Sequence, residues 1–168
     1  FVDLTLQGTP GYVWPLIVGL YVLGLGLMLT RAVVNRRQIQ FLMKASRLET
    51  GSLNQLASAW RRRLGLKETV APVRVVDAQM SPFVVGLKPV ILAPESLSGA
   101  KEAEAVIAHE LMHIKRGDEH DRLLGEALTS LLWFNPVYRA IERRLAAARE
   151  LACDADVLDA MGPQQRHH

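Results

Sequence analysis

The stretch AHELMHIKRGD, residues 108–118, places His109 and His113 four positions apart, with Glu110 directly after the first histidine. An α-helix turns once in 3.6 residues, so both imidazoles stand on one face and can reach a single metal ion. Glu110 lies about 100° further round the axis, where it can act on a water beside that metal without being a ligand. A zinc hydrolase needs a third protein ligand and an open fourth position. Downstream, ARELACDADVL at 148–158 offers Glu150 and Asp154, again four apart and on one helical face. Glu150 can complete the ligand set. Asp154 can hold a ligand histidine through the ring nitrogen turned away from zinc. The bland alternative for each carboxylate is a solvated helix face partnered by Arg143, Arg144 or Arg149. The histidine helix upstream tips the weighting towards zinc.

Other residues near the motif have two readings each. Asp118 supports a ligand histidine or caps the helix that follows, with Glu119 and Asp121 in its acidic first turn. His120 is a candidate for stabilising an oxyanion, or an exposed first-turn histidine. Cys153, between the two carboxylates, is a redox-sensitive ligand or a small buried filler, and the filler reading is favoured. Ser98-Gly-Ala-Lys101 matches the S-x-x-K nucleophile motif of penicillin-binding proteins, but the S-D-N and K-T-G elements are missing. Ser98 is therefore expected to cap the zinc helix.

These residues need a scaffold. Val- and Ile-rich segments punctuated by Pro and Gly predict strands near 73–77, 82–86 and 89–93, the last two joined by a turn at Gly86–Lys88. Helices are expected over 99–116, closed by Gly117, then 119–134 and 137–160, separated by Asn135-Pro136. Upstream, a helix over 32–48 is broken by Gly51, and Ser52 is placed to cap a helix that ends at Gly65. Arg61, Arg62 and Arg63 near that end either touch anionic lipid or sit solvated at the favourable pole of the helix dipole. LLGEALTSLLWF at 123–134 is too short to span a bilayer and suits core packing or contact with a membrane interface.

Hydrophobic residues make up 49% of the 168 positions, which is high for a soluble domain. Residues 12–30 run for 19 positions without a charge, close to the ~20 that cross a bilayer as a helix. Tyr12 and Trp14 stand where an interfacial aromatic belt would be. Basic residues begin only at Arg31 and continue with Arg36, Arg37, Lys44 and Arg47, which puts the N-terminus outside and the remainder in the cytoplasm. The single cysteine permits no internal disulfide and suits that compartment. With a net charge of +3 and no nucleic-acid-binding motif, a membrane surface is the better partner for the clustered basic residues. The expected organisation is an extracytoplasmic stub at 1–11, a transmembrane helix at 12–30, juxtamembrane helices at 31–65, a catalytic core at 66–162 and a tail at 163–168. His167 and His168 read as tag remnants and are left out of the chemistry.

PFVVGLKPVILAP, AHELMHIKRGD, WFNP and RELACDADVL occur in that order. Together they resemble the metallopeptidase domain of BlaR/MecR-type antirepressor and sensor-transducer proteins, over about Val73–Leu158. The resemblance implies an α+β, zincin-like (gluzincin) fold related to membrane proteases of the HtpX and CAAX-processing type. It implies Zn2+ on His109, His113 and Glu150, with Glu110 as catalytic base. The expected activity is endopeptidase cleavage of cytoplasmic proteins, a transcriptional repressor or the peptidase itself, at a bacterial inner membrane. In such folds an edge strand before the zinc helix holds the substrate extended, a role expected of Val90, Ile91 and Leu92. An HtpX-like quality-control protease and a non-catalytic, zinc-stabilised signalling module are the alternatives. The intact Glu110 speaks against the module. The matched segment includes none of the penicillin-binding sensor domain, so β-lactam sensing is not implied.

Overall fold

The computed structural model describes residues 10–162. Most of the expected stub at 1–11, and the tail at 163–168, lie outside the described residues. The chain forms a helix-rich α+β structure with one small sheet.

Helix α1 runs unbroken from Val13 to Ala45, about 50 Å at 1.5 Å per residue. No proline or glycine interrupts residues 27–45, so the basic segment expected as a separate helix simply continues the apolar one. Among its described residues only Gly24 is buried. At the far end, Ser46 turns extended, and Arg74 donates to its hydroxyl at 2.8 Å and its carbonyl at 2.5 Å. That pins α1 to the sheet.

The sheet contains β1 (Arg47–Leu48), β2 (Val73–Val76), β3 (Phe83–Val85) and β4 (Val90–Pro94), in the order β1-β2-β4-β3. Strands β2 and β4 are parallel; β1 and β3 run antiparallel at the two edges. Gly86, at φ 80°, turns β3 back into β4, a conformation glycine adopts without steric cost. Val90–Leu92 was expected as an edge strand; it lies inside the sheet instead. Ile91 and Leu92 are completely buried, as a continuous apolar run requires of a strand covered on both faces, and β4 lies between β2 and β3. The outer position falls to β3.

Helix α2 (Ser52–Leu64) presents Leu53, Ala57, Trp60 and Leu64 to α3 (Ala103–Arg116), which answers with Ile107, Ala108, Leu111 and Met112. Val73, Val75, Ile91 and Ala93, alternate residues of the two central strands, close this core from the sheet side. Truncating a residue such as Leu111 to Ala would cost roughly 2–5 kcal/mol. Because α3 buries that stripe, its histidine face is left pointing towards α4 (Asp118–Leu131) and α5 (Pro136–Met161).

Three expected caps are not formed. Helix α3 begins at Ala103, too far beyond Ser98 for capping; the Ser98 hydroxyl instead meets that of Ser52 at 3.3 Å. Gly51, not Ser52, precedes α2, and its N–H donates to Glu49 at 2.9 Å. Gly117, not Asp118, precedes α4. The arginine triplet also divides. Arg61 is buried and donates to the Ala71 carbonyl at 2.8 Å, Arg62 meets Glu68 at 3.2 Å, and Arg63 lies over the Trp60 ring. Arg61 therefore touches neither lipid nor bulk water: Ala71 sits at a left-handed φ of 54°, and its carbonyl needs a donor.

Candidate metal centre

His109 and His113 project from α3 with their Nε2 atoms 3.0 Å apart. The Glu150 Oε2 atom, from α5, comes within 3.3 Å of the first and 3.7 Å of the second. Each ring is held from behind. Asp154 Oδ1 lies 2.9 Å from His109 Nδ1, and Asp118 Oδ2 lies 2.7 Å from His113 Nδ1. A carboxylate at each Nδ1 favours the tautomer protonated there, which turns the two Nε2 atoms towards each other and towards a carboxylate oxygen as acceptors. With both Nε2 atoms unprotonated, the two rings and the carboxylate oxygen are three donors converging on one point, where a cation can sit. Their separations bracket the ~3.3 Å between donors of a tetrahedral site with ligand distances of about 2.0–2.1 Å. The donor set therefore fits zinc.

Local sequence explains each placement. Gly117 closes α3 in the left-handed region, its N–H returning to the His113 carbonyl at 3.0 Å, and α4 starts at the next residue. The reversal brings Asp118 back beside the His113 ring. Arg116 then bridges Asp118, at 3.2 Å, and Asp156 on α5, at 2.6 Å. On α5 the four-residue spacing of Glu150 and Asp154 sets one carboxylate before His109 and the other behind it. Asn135 launches that helix by accepting from the Val137 and Tyr138 amides at 3.0 and 3.1 Å.

Glu110 faces β3. Burial pushes its carboxyl up to about 7; His113 and the backbone of Val84 pull it down, while Glu150 adds to the rise. A carboxyl poised near neutrality suits proton transfer at physiological pH. Val84 pairs with Ile91 across the β3–β4 ladder, and the Ile91 N–H points the other way, to Pro72 O at 3.1 Å. Val84 thus turns its backbone outward, to Glu110 and the open side of β3. Sequence reasoning missed this residue, because nothing in PFVV distinguishes an edge strand from an inner one.

Cys153 is completely buried, with Sγ 3.6 Å from the His109 carbonyl. Its sulfur and the two histidines have ligand atoms within 4.8 Å of one another, so a His-His-Cys set is a geometric rival to Glu150. Burial pushes the thiol up to about 12, partly offset by Arg116. Its place in the core between α3 and α5 matches the filler reading. His120 is exposed on α4.

One long apolar helix leads into a helix-rich α+β unit, in which two histidines facing a carboxylate make a donor set able to hold a metal. The chain matches the model of the BlaR1 peptidase M56 family over residues 6–168 and belongs to that family. Regulatory protein BlaR1 of Bacillus licheniformis is 33% identical over 81 residues, 46% of this chain and 14% of the relative. The methicillin resistance mecR1 proteins of Staphylococcus aureus and Staphylococcus epidermidis are each 28% identical over 148 residues, 85% of this chain and 25% of the relative. The chain thus spans a quarter or less of the length of these curated relatives.

Proposed function

We propose that this chain is the zinc endopeptidase unit of a membrane-anchored signal transducer, cutting a cytoplasmic protein substrate such as a repressor or its own polypeptide. The observation that carries the reading is the convergence of His109, His113 and Glu150 to 3.0–3.7 Å with both outer ring nitrogens held by carboxylates. When bound, zinc would polarise the scissile carbonyl and acidify a water. Glu110 would supply the carboxylate that takes a proton from the attacking water and passes it to the leaving amine. Asp118 and Asp154 keep the imidazoles in the tautomer that presents Nε2. The outer edge of β3, with the Val84 backbone beside Glu110, receives an extended substrate strand through main-chain hydrogen bonds. This role passes from Val90, Ile91 and Leu92 on the inner strand β4, where Ile91 and Leu92 are completely buried.

The zincin-like, gluzincin assignment rests on the same histidine helix, downstream carboxylate helix and preceding edge strand. Membrane anchorage rests on α1, whose apolar window has mean hydropathy 2.0 and is 6% buried. Arg31, Arg36, Arg37, Lys44 and Arg47 favour a cytoplasmic site at the bacterial inner membrane, with 12–30 as the span, 31–65 juxtamembrane and 66–162 the catalytic core. Cleavage of repressor, or self-cleavage, by the reconstituted wild type but not by Glu110→Gln is the test. Equal cleavage by both would overturn the assignment.

A further inference from the structure

The turn joining α4 to α5 lies against α1. Tyr21 donates through its hydroxyl to the Leu131 carbonyl at 3.2 Å, and its ring meets Phe134 edge-on at 6.0 Å. The Trp133 indole covers Gly24 so closely that an added Cβ would fall 2.1 Å from it. Tyr21 and Gly24 sit in the middle of the uncharged run 12–30. Whatever depth they occupy in a bilayer, the turn occupies as well.

The turn is built for that depth. From Ala127 to Tyr138 there is no charged residue. Leu131, Phe134, Val137 and Ile141 are 48%, 57%, 64% and 56% exposed, too much apolar surface on one hairpin end to leave in water. Leu124 and Leu131 are seven apart and Val137 and Ile141 four apart, so each helix carries its share on one face. Four backbone N–H groups at the turn find partners within it. Asn135 accepts from the Val137 and Tyr138 amides, the Leu132 N–H reaches Leu128 O at 2.8 Å, and the Asn135 N–H reaches Leu132 O at 2.8 Å. Each such internal bond lowers the cost of placing the backbone in hydrocarbon. On the α4 side the first charge, Glu126, is paired with Arg122 at 2.6 Å.

We propose that the α4–α5 turn and its exposed apolar faces are embedded in the hydrocarbon of the bilayer alongside α1, making the peptidase core a second point of membrane attachment. The proposal rests on α1 being a membrane span. Asp118 and Leu131 bound α4, 14 residues long, so the metal centre stands no more than about 20 Å from the embedded turn. A substrate bond must come that close to the membrane to be cut.

The test places nitroxide labels at Phe134→Cys and, separately, Val137→Cys in the full chain, reconstituted in phosphatidylcholine–phosphatidylglycerol vesicles. Leu20→Cys on α1 serves as the lipid reference and Lys88→Cys as the aqueous one, with unsubstituted protein correcting for label on Cys153. Accessibility to dissolved oxygen is compared with accessibility to a water-soluble nickel chelate. We expect the oxygen-to-nickel ratio at positions 134 and 137 to match Leu20→Cys and to be inverted relative to Lys88→Cys. Ratios matching Lys88→Cys while Leu20→Cys stays lipid-like would overturn the proposal and leave the span intact. A water-like Leu20→Cys would overturn both. Labels shielded from both reagents would show protein, not lipid, on this face and would also overturn it.

Discussion

The Nε2 atoms of His109 and His113 stand 3.0 Å apart, while each Nδ1 is engaged by an aspartate. Two imidazoles locked in this orientation gain from any divalent cation that enters. Zinc bound only by the folded state adds about 4 kcal/mol at a thousand times its dissociation constant. Zinc should therefore raise the unfolding temperature of the metal-stripped chain, and His113→Ala should remove the response. An unchanged melting curve in wild type would remove the metal centre.

In the proposed metal centre Glu150 and Cys153 are rival third ligands, and substitution separates them. Glu150→Ala should lose stoichiometric zinc on dialysis against a mild chelator. Cys153→Ala should retain it, with a stability loss of order 1 kcal/mol for a small buried group. The opposite pattern in metal analysis would make sulfur the ligand.

Asp118→Asn and Asp154→Asn should each weaken zinc binding by about 10–100-fold, the usual effect of removing a partner behind a ligand histidine. The loss should be larger at Asp118, which is 13% exposed against 62% for Asp154 and is additionally held by Arg116. Competition titrations with a chromogenic chelator measure both, and identical wild-type affinities would refute the supporting role.

Glu110 gives a pH signature in the metal-free chain. Its carboxyl is raised from 4.5 to about 7, so between those values the folded state holds a proton that the unfolded state has released. Stability from this group is fully present below pH 4.5 and is lost as pH rises through 7. Glu110→Gln should flatten that part of the stability profile while keeping zinc. It should also lower cleavage by at least the ~10²–10⁴-fold expected for a lost general base. A stability profile unchanged by the substitution would place the titration elsewhere.

Gly24→Leu should separate α1 from the α4–α5 turn, because the rigid Trp133 ring already occupies the space of a Cβ. A cost of about 1–3 kcal/mol is typical of such overpacking, and thermal unfolding in detergent micelles would register it. Gly26→Leu, at a position with nothing within 4 Å, is the control; equal losses would mean the contact is unimportant.

Helical periodicity made the pairs His109–His113 and Glu150–Asp154 legible from the residues alone, since a four-residue step fixes a shared face whatever the rest of the chain does. The same local rules located the helix break at Gly117, the β3–β4 turn at Gly86 and the long apolar run of α1. Contacts between distant segments follow no such rule. Strand order depends on which run finds two neighbours, so β4 became central and β3, with Val84 against Glu110, became the edge. Asp118 reaches His113 only because α4 folds back at the left-handed glycine, and Arg116 ties that turn to Asp156 across forty residues. The burial that lifts Glu110, and the seat of Trp133 on Gly24, likewise arise where separate helices meet. Spacing along one helix is set by backbone geometry; proximity between elements is set by how their apolar faces pack, and only the tertiary structure decides that.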